Sequence, residues 1–134
     1  MKVAFATQDL ERIDAHFGWA RNLAIYDLTA EGWSLDRVAE FSGELNEDGN
    51  EDKLLPKLEA LKGVAILVVA AIGGSGAARV VAQNIHPMKV PEPEPIEGML
   101  AKLQDVLKGT PPPWLRKVLA KSGEKKLDFE EEEA

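Results

Sequence analysis

Val64-Ala65-Ile66-Leu67-Val68-Val69-Ala70 is apolar without alternation, and Gly73-Gly74-Ser75-Gly76 follows almost at once. An apolar run without alternation is how a strand buried on both faces reads, with helices covering it above and below. The glycines then open a helix carrying Ala77, Val80 and Val81, which Asn84 can end in a left-handed conformation. His86-Pro87-Met88-Lys89-Val90 supplies the next strand. A strand, a helix and a strand in succession predict a parallel pair joined by a right-handed crossover.

Upstream, Leu54, Leu58 and Leu61 repeat at helical spacing. A helix starting near Lys53 would put Pro56 in its first turns, where the missing N–H costs least, and Gly63 can close it. Residues 42–52 are polar, with Gly43 and Gly49, and read as an exposed loop. Further upstream, Lys2-Val3-Ala4-Phe5-Ala6-Thr7 is a first strand, residues 22–28 a second, and Trp33 to Phe41 a third. The short link Ala30-Glu31-Gly32 makes the last two a hairpin.

Downstream, Pro91-Glu92-Pro93-Glu94-Pro95 is an extended connection, because a residue before proline avoids the helical region. Ile96, Met99, Leu100, Leu103 and Leu107 then lie on one face of a helix that Gly109 ends. After Pro111-Pro112-Pro113, residues 114–121 form a short basic amphipathic helix, and residues 122–134 make a charged tail expected to be disordered. The order is βββαβαβα. It predicts an α/β fold of one domain over residues 1–110, a mixed five-stranded sheet with flanking helices, followed by the helix at 111–121 and the acidic tail.

Composition narrows the function. The 134 residues, 45% of them hydrophobic, suffice for one core. The longest apolar run, Val64 to Ile72, is too short to span a bilayer, and the first residues lack the apolar region of a signal peptide, so no membrane role and a cytoplasmic location are expected. A net charge of −7 argues against nucleic acid, whose phosphates need a basic face. With two histidines and no cysteine, the chain has no thiolate to hold zinc or an iron–sulfur cluster and no cysteine nucleophile.

Asp14-Ala15-His16-Phe17-Gly18 lies between the first two strands, so His16 sits on a loop at a strand end. It can cap a turn there or ligate a metal, since imidazole is the commonest metal-ligating side chain. Asp14 could orient it by accepting the other ring hydrogen, and Gly18 allows close approach of a bulky ligand. The Gly73-Gly74-Ser75-Gly76 stretch is either a tight strand-to-helix turn or an anion site of backbone N–H groups. It matches neither phosphate-binding glycine motif and has no lysine at the phosphate-binding position, although Arg79 one turn on could add charge. His86 opens its strand, which sets it more naturally at the far edge with a structural role, although loops at the strand ends could gather it with His16 and Gly73. Trp114-Leu115-Arg116-Lys117 either packs on the body or serves as a docking element.

The His-Phe-Gly of residues 16–18, the Ala71-Ile72-Gly73-Gly74 run and the Pro111 to Lys117 segment together resemble NifX-type proteins of the dinitrogenase iron–molybdenum cofactor biosynthesis family. The resemblance covers nearly the whole chain up to about Val118. It implies a ribonuclease-H-like fold and a non-catalytic carrier of iron–sulfur precursors of the nitrogenase cofactor, either NifB cofactor or a later precursor. The carrier would pass its cargo between NifB-type and NifEN-type assembly proteins. It also implies that the motif histidine, here His16, binds the metal cargo, with Phe17, Gly18, Gly73, Gly74 and Ser75 around it. Members often carry a cysteine near the fourth strand; Ala65 to Ala71 offers none.

Two other classes can be set against the carrier. Nuclease chemistry on this fold needs clustered carboxylates for two metal ions, one of them within the first strand. Residues 3–7 contain none. A module that binds nitrogenase-assembly proteins without any cluster stays open.

Overall fold

The computed structural model describes residues 1–41, 54–109 and 111–122. The loop read at 42–52, the helix start near Lys53 and all of the tail read at 122–134 except Ser122, which ends a helix, lie outside them. The described chain runs β1 (Lys2–Thr7), β2 (Arg12–Ile13), a 3₁₀ turn (Phe17–Trp19), β3 (Asn22–Thr29), β4 (Gly32–Glu40), α1 (Leu55–Ala60), β5 (Ile66–Val69), α2 (Gly74–Ala82), β6 (His86–Lys89), β7 (Glu94–Pro95), α3 (Ile96–Lys108) and α4 (Pro113–Ser122).

Five strands form one sheet in the order β4-β3-β1-β5-β6. The pairs β1–β3 and β3–β4 are antiparallel, and β1–β5 and β5–β6 are parallel. The expected mixed sheet is therefore present, and β3–β4 is the expected hairpin. The apolar run at 64–70 forms an interior strand next to the middle one, and the middle strand is β1.

Burial follows from the pleat. Successive side chains of a strand point to opposite faces, so Val3 and Phe5 of β1 join Ile66 and Val68 of β5 on one side. Ala4, Ala6, Leu67 and Val69 join on the other. The first face is covered by α3 through Ile96, Met99, Leu100 and Leu103, and by α4 through Leu115 and Val118. The second is covered by α1 through Leu58 and by α2 through Val80, with Phe17 of the 3₁₀ turn beside them. Fully burying an aliphatic or aromatic side chain contributes about 1.5–3 kcal/mol, so the two layers together drive folding.

The helix ends behave as their residues dictate. Pro56 occupies the first turn of α1, Gly63 has φ 86° in the turn that follows, and Asn84 has φ 65° just past α2. Helix α1 has only six residues. A second ribbon was not expected: β2 pairs with β7, Arg12 opposite Pro95 and Ile13 opposite Glu94. It ties the loop after β1 to the start of α3, where the Ile96 N–H donates to the Glu11 carbonyl at 2.9 Å.

Candidate functional site

The parallel strands β1 and β5 end at the same edge of the sheet. From there the chain leaves in opposite directions, from β1 toward β3 and from β5 through α2 to β6. Open α/β sheets place ligands at such a point of divergence. The two connections meet there. The Ala70 N–H donates to the Ala15 carbonyl at 2.9 Å, the Phe17 N–H donates to the Ala71 carbonyl at 2.8 Å, and His16 bridges Ala71.

The loop after β1 is shaped by its own polar side chains. The buried Thr7 hydroxyl accepts the Leu10 N–H at 2.9 Å. One Asp9 oxygen accepts the N–H groups of Glu11 and Arg12, each at 2.9 Å, and the other takes the Arg12 guanidinium at 3.1 Å. The Glu11 and Arg12 N–H groups, followed by the guanidinium, hold the Asp9 carboxyl down at about 2. This packing of donors around one carboxylate bends Leu10 to φ 67°, a left-handed conformation that a leucine rarely adopts. Gln8 then stitches the next turn closed. Its side chain accepts from the Arg21 N–H at 2.8 Å and donates to the Trp19 carbonyl at 3.2 Å.

His16 is half-buried at the head of the 3₁₀ turn, where its Nδ1 accepts the Gly18 N–H at 2.9 Å. A backbone N–H can only donate, so Nδ1 carries a lone pair and, in the neutral ring, the hydrogen sits on Nε2. Held this way, the imidazole offers an N–H donor to its surroundings. Ligation of a metal through Nε2 requires the hydrogen to move to Nδ1, and the ring must first give up Gly18. Asp14 does not take the orienting role anticipated for it. Its Oδ1 accepts the Gln8 N–H at 2.9 Å, and no hydrogen bond joins it to His16 among the described residues.

Gly18 contributes its two backbone groups. A side chain there would meet the His16 ring at an ordinary 3.5 Å, so steric relief is not its role toward the protein. Its carbonyl accepts Lys57 Nζ at 3.0 Å. Phe17 is fully buried and anchors the turn, packing near Gly76, where an added Cβ would lie 3.6 Å from the ring. Trp19, which the sequence reading did not single out, is 58% exposed. Nothing in the composition around it marks that exposure, since tryptophan is usually largely buried.

Gly73, Gly74 and Ser75 are exposed at the start of α2, and open space surrounds Gly73 and Gly74. The helix has no side-chain cap, and its first internal bond runs from the Ala77 N–H to the Gly73 carbonyl. The N–H groups of the first turn have no partner within the helix and attract negative charge together with the helix dipole. Residues 16–18 and 73–75 therefore stand side by side at one edge. Arg79 lies farther along α2, in a cleft with Leu55, Leu58, Glu59 and Lys62 of the α1 region.

His86 stands at the other end of the sheet. It pairs with Ile66 at the start of β5, whereas His16 bridges Ala71 beyond its end, about 16 Å away at the usual rise per residue. His86 stacks on Trp114, with ring centroids 4.5 Å apart. Among the described residues no three His, Asp or Glu side chains converge into a metal-binding group. No helix of the described residues is long and apolar enough to cross a membrane.

Comparison with known proteins places the chain in a family. The family model described as dinitrogenase iron-molybdenum cofactor matches residues 1–106. The chain is 63% identical over 132 residues to the protein NifX of Herbaspirillum seropedicae, covering 98% of this chain and 90% of that one. It is 40% identical over 122 residues to the protein NifX of Azotobacter vinelandii, covering 91% and 77%. The solved structure of PH0822 superposes with a TM-score of 0.61 at 17% identity, over 78% of this chain and 90% of that one. A putative dinitrogenase from Methanocaldococcus jannaschii superposes with a TM-score of 0.55 at 11% identity, over 80% and 90%. These two share the fold. The chain belongs to the dinitrogenase iron–molybdenum cofactor family, as a NifX-type member.

Proposed function

We propose that this protein is a non-catalytic carrier that holds an iron–sulfur precursor of the nitrogenase cofactor, NifB cofactor or a later form, between a NifB-type donor and a NifEN-type scaffold. Its family gives it a role in nitrogenase cofactor biosynthesis; the carrier reading adds the cargo and the site. The observation that carries it is the meeting of the His16–Gly18 turn with the exposed Gly73–Ser75 helix start at the carboxyl ends of β1 and β5. A sulfide-rich cluster is anionic and accepts hydrogen bonds. The Nε2–H of His16 and the first-turn N–H groups of α2 are donors of the matching sign. The absence of cysteine fits temporary custody, because no thiolate holds the cargo against transfer.

His16 is the group assigned to direct contact with the cargo, as a donor in the resting turn and as a metal ligand once Gly18 releases Nδ1. Phe17 fixes the turn, and Gly18, Gly73, Gly74 and Ser75 supply backbone contacts. The exposed Trp19 gives the second reading its support: a module that docks on assembly proteins and holds no cluster.

Anoxic titration with NifB cofactor, followed by gel filtration and iron counting, separates the two. The carrier reading expects iron to co-elute with the wild type and to be lost from His16→Ala, with an unchanged circular dichroism spectrum. Wild-type protein that elutes without iron would leave the docking module ahead, and equal retention by the folded variant would take His16 out of the role and assign the cargo to other contacts.

A further inference from the structure

Lys57 is a lysine with only 2% of its surface exposed. A charged side chain is almost never fully buried unless it is paired or hydrogen-bonded. From α1 it reaches back 39 residues in sequence to donate to the Gly18 carbonyl at 3.0 Å, and its ammonium lies 5.1 Å from the centre of the Phe41 ring. Gly18 is thus gripped on both sides. Its carbonyl is held by Lys57, and its N–H is held on His16 Nδ1.

We propose that Lys57 is a positioning residue of the site. By fixing the Gly18 carbonyl it keeps the Gly18 N–H on Nδ1, and so keeps the His16 imidazole in the form that presents Nε2–H outward. The functional weight of this rests on the carrier reading. The free protein meets its cargo with a hydrogen-bond donor, and the imidazole turns into a ligand only when the grip on Gly18 loosens. Neighbouring contacts support a gripped turn. The Trp19 N–H donates to the His16 carbonyl at 3.0 Å, and Phe17 is locked in the core with its N–H on Ala71. With both flanks fixed, Gly18 is the point where the turn can yield.

The test uses the full chain without cargo, at a pH where imidazole is neutral, and reads the two His16 ring nitrogens by ¹⁵N NMR. The wild type should show the hydrogen on Nε2. Lys57→Met keeps roughly the volume and removes the donor, at the cost of an unsatisfied Gly18 carbonyl. A hydrogen bond from a charged group is among the stronger ones, so the Nε2–H to Nδ1–H ratio should fall roughly tenfold in the variant. A lysine with a merely structural role would change the melting temperature and leave that ratio alone. A folded Lys57→Met with the wild-type ratio overturns the proposal. If the variant does not fold, the wild type decides. A through-bond coupling from Lys57 ¹⁵Nζ to the Gly18 carbonyl carbon supports the grip, and a freely rotating, rapidly exchanging ammonium removes it. None of these readouts involves iron, so a carrier reading lost in the titration and a Lys57 role lost here are separate results.

Discussion

His86 and His16 show how position decides what an imidazole does. His86 lies flat on Trp114, and burial pushes its pKa below the ordinary 6.5. A histidine held neutral in the fold binds its proton more readily in the unfolded chain. Its contribution to stability is therefore complete above pH 6.5 and is lost as pH falls from there through the lower folded value. Thermal melts across that acid window should show a declining melting temperature, and His86→Gln should flatten the decline. A variant with the wild-type slope would show that the slope originates elsewhere. His16 could be read from the sequence as a loop histidine at a strand end, and it is one. Its hydrogen-bonding state could not be read, because it depends on the Gly18 N–H two residues on and on a lysine 41 residues away. Lys57 itself gave no signal, since lysine is ordinarily a surface residue.

Among the elements, α3 was the most legible. Ile96, Met99, Leu100 and Leu103 repeat at helical spacing, and all four are buried. Leu103→Ala should cost about 2–5 kcal/mol in chemical denaturation. A loss below roughly half a kcal/mol, within the range of ordinary surface substitutions, would mean the side chain is not in the core. The apolar run at 64–70 was equally plain, because a strand covered on both faces has no polar side to show. The β2–β7 ribbon was hidden for the opposite reason. Two residues on each side carry no periodicity, and Pro95 sits where no ladder N–H is needed. The 3₁₀ turn was hidden as well. Its residues, Phe17 to Trp19, follow the side chain that caps it, and only the folded backbone brings Nδ1 to the Gly18 N–H.

In the whole molecule the sheet separates two cores, and α4 closes the one away from the site. Leu115 is fully buried and Val118 nearly so, both against the same cluster as α3. The segment at Trp114 to Lys117 thus does the packing that was one of its two readings, through Leu115 and through the stack of Trp114 on His86. A chain ending at Gly109 should stay folded but lose about 3–6 kcal/mol, because it forfeits the burial of these two side chains against the core. Denaturant titration would measure it, and an unchanged midpoint would show that α4 adds nothing. The site, on the sheet edge beyond β1 and β5, should keep its His16 ring geometry in the truncated chain.

The same edge has a consequence for how the protein comes to exist. The bridge between His16 and Ala71 joins segments that leave the ribosome far apart in time. Pairing of such distant strands is slow, because a long loop must close before any contact rewards it. A nascent chain that has made only β1, β3 and β4 owns a hairpin and a histidine, but no partner for Phe17 and no lysine under Gly18. On the carrier reading, cargo offered at that moment would find nothing to hold it, and folding itself would be the checkpoint for loading.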